Sequence, residues 1–192
     1  AEQMSKGIQF LLKKYNVTLI QGTGKIKPGK KVEVLDFEGN TNEYSANHII
    51  IATGARSREL PNLHQDGVKI IGYRKALTLD KQPESMVVVG SGAIGSEFAY
   101  FYNTIGTKVT LIEYLPNIVP NEDEEVSKQL ERSFKKQGMK VLTSASVESV
   151  DTSGEKCKVT VKTKKGEEII EADIVLSAVG IVSNLENIGL EE

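Results

Sequence analysis

Residues 86–97 read MVVVGSGAIGSE, an apolar run that breaks into glycines and continues into a helical pattern. Gly90, Gly92 and Gly95 have the GxGxxG spacing of a dinucleotide-binding turn. The first glycine permits a tight turn, the second lets the backbone approach a diphosphate, and the third lets the helix pack closely on the strand. The diphosphate would lie on the free amides of the helix N-terminus, where no basic side chain is required.

Strands and helices alternate after this turn. The patterns predict strands at 86–90, 108–113 and 139–143, and helices at 93–105 and 122–137. Residues 146–171 alternate around two turns, which indicates an antiparallel β-ribbon, and ADIVLSAVG at 172–180 reads as a closing buried strand. We therefore predict an α/β fold with a Rossmann-like parallel sheet, helices on its faces, and an antiparallel ribbon.

Helical periodicity gives each predicted helix a candidate core stripe. The stripes are Ile94, Phe98, Phe101 and Ile105 in the first helix, and Val126, Leu130 and Phe134 in the second. Asn121 is the predicted N-cap of the second helix, with Glu124 three residues further on. Since negative charge is favoured at a helix N-terminus, the acidic residues of NEDEE (121–125) are interpreted as helix-start residues and not as a metal site.

The residues before Met86 have a different pattern. They predict a helix ending near Tyr15, a short strand at 17–20, a small antiparallel meander, and a fully buried strand at 48–52. Residues 55–85 show little regular periodicity. We therefore expect a domain boundary near Asp80, with domains at 1–80 and 81–192.

Glu113 ends the second predicted strand, 21 positions after Gly92. An acidic residue at this place accepts hydrogen bonds from the adenosine ribose, and its charge repels a 2′-phosphate. Neither neighbour, Ile112 or Tyr114, is an arginine. The pattern favours NAD over NADP, with a ligand-free sheet and a methyltransferase as alternatives.

Composition narrows the class of protein. The 24 basic and 26 acidic residues nearly cancel, which gives no electrostatic argument for nucleic acid or for an anionic membrane. No segment has the length of an apolar membrane span or the layout of a signal peptide, so we expect a cytoplasmic protein. Cys157 is the single cysteine and is predicted to be a buried structural thiol. His48 and His64 have no spacing that suggests a metal site.

Several segments together resemble one known family. They are IIIATGAR at 49–56, Glu97, residues 107–138, and ADIVLSAVG at 172–180. This combination resembles the flavin-dependent pyridine nucleotide disulfide oxidoreductases, most closely their dihydrolipoamide dehydrogenase branch. In that family an NAD domain is inserted into an FAD domain, which implies that residues 1–80 are part of an FAD-binding α/β domain.

The resemblance also implies cofactor contacts. For NAD these are Gly90, Ser91, Gly92, Ala93, Ile94 and Gly95 in the turn, Glu97 and Gly180 near the nicotinamide, Glu113 at the ribose, and Val147 against the adenine. For FAD they are Gly24, Thr53, Gly54 and Ala55. After AVG the family commonly continues with arginine and proline, whereas residues 181–184 are IVSN, which leaves the contacts of that arginine in doubt.

The activity implied by the resemblance passes electrons from dihydrolipoamide to a cysteine pair, then to FAD, then as hydride to NAD. The cysteine pair and the catalytic histidine lie outside the matched region, so we expect an incomplete FAD site and no catalytic residue in this chain. The implied partners are a second copy of the full-length enzyme and the lipoyl domain of a 2-oxo acid dehydrogenase complex or of the glycine cleavage system. Another family member, similar to mercuric or glutathione reductase, and a stand-alone nucleotide-binding module are the alternatives.

Overall fold

The chain divides into two compact units, residues 1–54 with 183–192, and residues 55–182, in a computed structural model that describes residues 2–190. The boundary expected near Asp80 falls inside the second unit. The reason is that a short strand at Ile70–Ile71 pairs with the large sheet of that unit, although its two residues are too few to give a periodic signal.

The first unit contains one helix and a small sheet. Its elements in chain order are α1 (Glu2–Lys14), β1 (Thr23–Lys27), β2 (Lys31–Leu35) and β3 (Thr41–Ser45). The strands form an antiparallel meander in the order β1-β2-β3, which confirms the predicted meander. The predicted helix ending near Tyr15 is also confirmed, although α1 has no buried residue.

Two predicted strands of the first unit are wrong. Residues 17–20 and 48–52 adopt no strand conformation, and neither pairs with another strand within residues 2–190. The segment at 48–52 was expected to be fully buried, yet Ile50 is 89% exposed and Ile51 is 41% exposed. An apolar run needs a neighbouring ladder to become a buried strand.

From residue 55 onward the chain builds a larger α/β unit. The elements are β4 (Ala55–Ser57), β5 (Ile70–Ile71), α2 (Tyr73–Ala76), β6 (Ser85–Val89), α3 (Ala93–Thr104), β7 (Lys108–Ile112), α4 (Glu124–Lys136), β8 (Lys140–Leu142), β9 (Ser146–Asp151), β10 (Cys157–Thr163), β11 (Gly166–Ala172), β12 (Ile174–Ser177) and β13 (Ile181–Ser183). Five of these strands form a parallel sheet in the order β5-β12-β6-β7-β8. Strands β9, β10 and β11 form an antiparallel sheet, and β4 pairs with β13.

The parallel sheet is covered by different layers on its two faces. On β6, Met86 and Val88 pack in one apolar cluster with residues of α3 and α4, whereas Val87 and Val89 pack in a second cluster with the antiparallel ribbon. Side chains of a strand alternate between faces, so adjacent residues separate in this way. The predicted Rossmann-like sheet with a ribbon is confirmed, with helices α3 and α4 sharing one face and the ribbon on the other.

Helix α3 turns a different face to the sheet than its stripe of large apolar residues predicts. The buried residues of the helix are Gly95, Ser96, Ala99 and Tyr102. Phe98 is half-buried against the core as predicted, but Phe101 and Ile105 are 53% and 43% exposed, so the predicted core stripe is only partly correct for this helix. The small residues let the helix approach β6 closely, and the larger side chains line an outer groove beside α2.

Helix α4 begins at Glu124, after Asp123 and not after Asn121. The Asp123 carboxylate accepts a hydrogen bond of 2.8 Å from the backbone N–H of Glu125 and so caps the helix. Phe134 is buried as predicted, but Val126 is 54% exposed. The core stripe of α4 was therefore only partly correct.

Asp173 lies in the turn before β12 and binds Ser85 at the start of β6. Its carboxylate makes part of the stability of the fold depend on pH. Its carboxylate accepts hydrogen bonds from the Ser85 N–H (2.8 Å) and Oγ–H (3.0 Å), and it pairs with the Lys156 ammonium at 3.2 Å. Partial burial by itself raises the pKa of Asp173, but the Ser85 and Lys156 contacts outweigh it and lower the pKa below its usual value.

A carboxylate whose pKa is lower in the folded state stabilises the fold above its unfolded pKa of about 3.9 and loses this effect as the pH falls through the native pKa. We expect Asp173→Asn to lose about 1 kcal/mol of unfolding free energy at pH 7, and the difference from the parent chain to shrink below about pH 4. Urea denaturation at several pH values measures this, with Asp80→Asn, an exposed carboxylate, as the control. A difference independent of pH would contradict the assignment.

Candidate dinucleotide-binding site

A cleft of about 720 Å³ lies at the carboxyl ends of the parallel strands in the second unit. Its lining comes from the loops after β6, β7, β8 and β12, and from the segment after β4. The lining residues are Arg58, Leu60, Asn62, Leu63, Val89, Gly90, Ser91, Gly92, Ile112, Glu113, Tyr114, Leu115, Pro120, Ala145, Ser146, Val147, Glu148, Ala178, Val179 and Gly180. This edge of an open α/β sheet is where such folds bind ligands.

The three glycines of the turn meet three different physical requirements. Gly90 has a φ of 95°, a backbone conformation that residues with a Cβ rarely adopt. A Cβ at Gly95 would overlap the carbonyl oxygen of Gly90, so that glycine brings α3 against β6. Gly92 has a φ of −62°, and a Cβ there would meet no atom within 4 Å. Of the three glycines, only Gly92 is required neither by its backbone conformation nor by a neighbouring atom. The open space beside it is where a ligand can approach the backbone.

The N-terminus of α3 points its amides at the same cleft. Gly92 is the N-cap residue and has no side chain to accept from them. The first amides of a helix have no partner within the helix, and the helix dipole adds a partial positive charge there. An anionic diphosphate satisfies both conditions.

Glu113 is buried behind the turn and fastens it to the end of β7. It is 7% exposed. One carboxylate oxygen accepts from the Ser91 N–H at 2.8 Å and from the Ser91 hydroxyl at 2.6 Å, and the other accepts from the Leu115 N–H at 2.8 Å. The sequence pattern predicted a ribose contact for Glu113 but not its hydrogen bonds to the glycine turn. A signal existed, since a hydroxyl side chain stands inside the glycine turn itself.

The segment after β4 forms one wall of the cleft, which the sequence pattern did not indicate. Asn62 donates from its side-chain amide to the carbonyl oxygen of Val147 at 2.6 Å. Val147 is buried and lines the cleft together with Leu63. No periodicity in residues 55–85 reveals this wall, because it depends on long-range contacts.

Not all the predicted NAD residues line this cleft. Gly90, Ser91, Gly92, Glu113, Val147 and Gly180 do so. Gly95 supports the turn from behind. Ala93 lies at the first position of α3, while Ile94 and Glu97 line the outer groove beside α2. The nicotinamide contact of Glu97 stays a prediction.

The residues predicted for FAD are not among those that line this cleft. Gly24 is exposed on β1, opposite Val34. The Thr53 hydroxyl donates to the Asn184 carbonyl at 2.5 Å, and the Asn184 amide donates back to the Thr53 carbonyl at 3.2 Å. Gly54 has a φ of 76°, and Ala55 begins β4. Their contacts with a flavin stay a prediction.

Cys157 is fully buried in the ribbon cluster, which confirms the predicted environment of this thiol. Burial raises its pKa above the ordinary value, so it resists ionisation. His64 pairs with Glu59 at 2.7 Å on the surface. Within residues 2–190, no group of three or more histidine, cysteine, aspartate or glutamate side chains could hold a metal ion.

The family profile described as pyridine nucleotide-disulphide oxidoreductase matches residues 1–192. The chain belongs to this family. The predicted cofactor pair, NAD and FAD, is thereby confirmed for the family as a group.

The curated relatives of this chain include a dihydrolipoyl dehydrogenase of Zymomonas mobilis, 38% identical over 100% of the chain and 41% of that protein. A dihydrolipoyl dehydrogenase of Rhizobium etli is 40% identical over 98% of the chain and 42% of that protein. Among solved structures, LpdA of Mycobacterium tuberculosis has a TM-score of 0.87 at 31% identity, covering 99% of this chain and 42% of that one. The chain thus spans about two fifths of the length of these relatives.

Proposed function

We propose that the chain is the NAD-binding portion of a dihydrolipoyl dehydrogenase, which oxidises protein-bound dihydrolipoamide through a redox disulfide and FAD and reduces NAD. The observation that carries this proposal is the cleft in which the glycine turn, the start of α3 and Glu113 converge. The relatives named dihydrolipoyl dehydrogenase support the choice of substrate.

Each part of the cleft has a binding role in this proposal. The α3 amides hold the diphosphate, and the carboxylate of Glu113 has lone pairs left for an adenosine ribose hydroxyl. The adenine lies beside Val147, and the nicotinamide end of the cofactor extends toward Gly180. NAD accepts or releases a hydride when bound, and these residues orient it.

The disulfide exchange of the proposed reaction needs two thiols, and the chain has one cysteine. Cys157 is buried in the ribbon and has a raised pKa, so it does not serve as a nucleophile. The chain alone is therefore not expected to turn over dihydrolipoamide. Residues 1–80 would supply part of an FAD-binding domain, with Gly24, Thr53, Gly54 and Ala55 as the predicted flavin contacts.

The partners and location belong to the same proposal. For the full-length enzyme we propose a homodimer that receives a lipoyl domain of a 2-oxo acid dehydrogenase complex or of the glycine cleavage system. Between residues 2 and 190, no helix is both long and apolar enough to cross a bilayer. The cytoplasmic location stays a prediction, because the name of a Pisum sativum relative places that protein in mitochondria.

Another disulfide oxidoreductase of the family is the second candidate. A leghemoglobin reductase of Glycine max is 40% identical over 98% of this chain and 37% of that protein. This value equals the identity to the Rhizobium etli enzyme, so sequence identity over this chain does not distinguish the two activities.

Calorimetric titration of the 192-residue chain tests the proposal. We expect NADH to bind with a Kd below about 1 mM, and NADPH to bind at least about tenfold more weakly because of the Glu113 carboxylate. S-adenosylmethionine is the control ligand, since a methyltransferase has a similar strand-end acid. Binding of S-adenosylmethionine in preference to NADH, or no heat with millimolar NADH, would overturn the proposal.

A further inference from the structure

The cleft has an uneven distribution of charge. The charged residues that line it are Arg58, Glu113 and Glu148, which are one cation and two carboxylates. Glu113 is committed to the Ser91 and Leu115 hydrogen bonds. A dinucleotide brings a diphosphate with two negative charges into this space, while a helix N-terminus supplies only about half a positive charge. A full positive charge in the lining of the cleft would therefore strengthen the binding of the diphosphate.

Arg58 is held beside the loop that follows β12. Its backbone N–H donates to the Gly180 carbonyl at 2.9 Å. A Cβ built on Gly180 would lie 3.9 Å from the Cδ of Arg58, so the arginine side chain passes over this glycine. Within residues 2–190 its guanidinium has no hydrogen-bond or ion-pair acceptor, and Arg58 is exposed to solvent. It is free to bind a ligand.

The strand order places Arg58 nearer to the diphosphate-binding glycine turn than to a 2′-phosphate on the ribose beside Glu113. Arg58 contacts the loop that follows β12, the glycine turn follows β6, and Glu113 follows β7, in the sheet order β12-β6-β7. Neighbouring strands are about 4.8 Å apart, so the turn is one strand away from Arg58 and the ribose side two strands away. The loop at Ala178 also abuts Gly90 directly.

We infer that Arg58 is a ligand of the NAD diphosphate in this cleft, an inference that rests on the proposed function. The guanidinium is planar and donates two parallel hydrogen bonds to phosphate oxygens, which a lysine ammonium does not reproduce. Arg58 supplies a full positive charge from the segment that follows β4, which lines the same cleft as the glycine turn.

Titration of NADH into three variants of the chain tests this role. We expect Arg58→Gln to weaken NADH binding about tenfold, and Arg58→Lys to recover only part of the loss. Arg56→Gln is the matched control, because Arg56 lies two residues away but does not line the cleft. Adenosine, which lacks the diphosphate, should bind equally to the parent and to Arg58→Gln. Added salt should weaken NADH binding more in the parent than in Arg58→Gln.

The outcomes separate the two claims. Equal NADH affinity of the parent and Arg58→Gln would overturn the role of Arg58 and leave the NAD site standing. A loss confined to NADPH would assign Arg58 to a 2′-phosphate and also overturn it. Failure of the parent to bind NADH would instead overturn the proposed function. Thermal unfolding of each variant shows whether the fold is intact, and Arg58→Lys keeps the test valid if Arg58→Gln is unstable.

Discussion

Gly95→Ala is expected to lower the unfolding free energy by about 3 kcal/mol, while Gly92→Ala is expected to leave it within about 0.5 kcal/mol of the parent. A Cβ at Gly95 overlaps the carbonyl oxygen of Gly90 and comes within 3.2 Å of the Cβ of Ala178. The overlap is with backbone, which cannot move without displacing α3 from β6. At Gly92 the new Cβ meets no atom within 4 Å. Urea denaturation of the two variants measures both values.

The order of the two effects should be reversed when NADH affinity is measured on folded protein. Gly92→Ala places a methyl group where the backbone approaches the diphosphate, so we expect NADH affinity to fall at least about tenfold although the fold is intact. Each variant thus serves as the control for the other. A stable Gly95→Ala, or a Gly92→Ala that binds NADH as tightly as the parent, would contradict the division of roles within the turn.

The parts of the second unit that could be predicted are those encoded by short-range pattern. The strand predicted at 86–90 is observed at Ser85–Val89, and the one predicted at 108–113 is observed at Lys108–Ile112. Both are apolar runs bounded by polar or glycine residues, a pattern that few other conformations share. The glycine spacing also located one end of the cleft, because its three requirements are local.

Long-range packing explains what could not be predicted. Helix α3 has two apolar faces, and periodicity does not reveal that the face with Gly95 and Ala99 meets the sheet. Arg58 and Asn62 reach the cleft through contacts with Gly180 and Val147, which are more than 80 positions away in the chain. The run at 48–52 has the composition of a buried strand but no ladder to join within the described residues.

Glu113→Ala should have the second large effect, a loss of about 3 kcal/mol of unfolding free energy in the absence of any ligand. The substitution leaves the Ser91 N–H, the Ser91 hydroxyl and the Leu115 N–H without their acceptor in a buried place. A buried donor without an acceptor lowers the unfolding free energy, because it has lost its hydrogen bonds to water and has formed none in the protein. Chemical denaturation of the ligand-free chain measures the loss.

Ser91→Ala is the matched partner in this experiment. It removes only the hydroxyl and keeps the backbone N–H bond to Glu113, so we expect a smaller loss of about 1 kcal/mol. The double variant should lose less than the sum of the two single losses, because both remove the same 2.6 Å hydrogen bond. Additive losses would show that the two residues do not act together.

The cofactor preference separates the structural role of Glu113 from a binding role. If the carboxylate both fastens the turn and accepts from the ribose, Glu113→Gln should reduce the preference for NADH over NADPH, since the repulsion of a 2′-phosphate disappears with the charge. Ser91→Ala keeps the charge and should keep the preference. An unchanged preference in Glu113→Gln would confine Glu113 to holding the glycine turn, and the ribose would then be bound by other residues of the cleft.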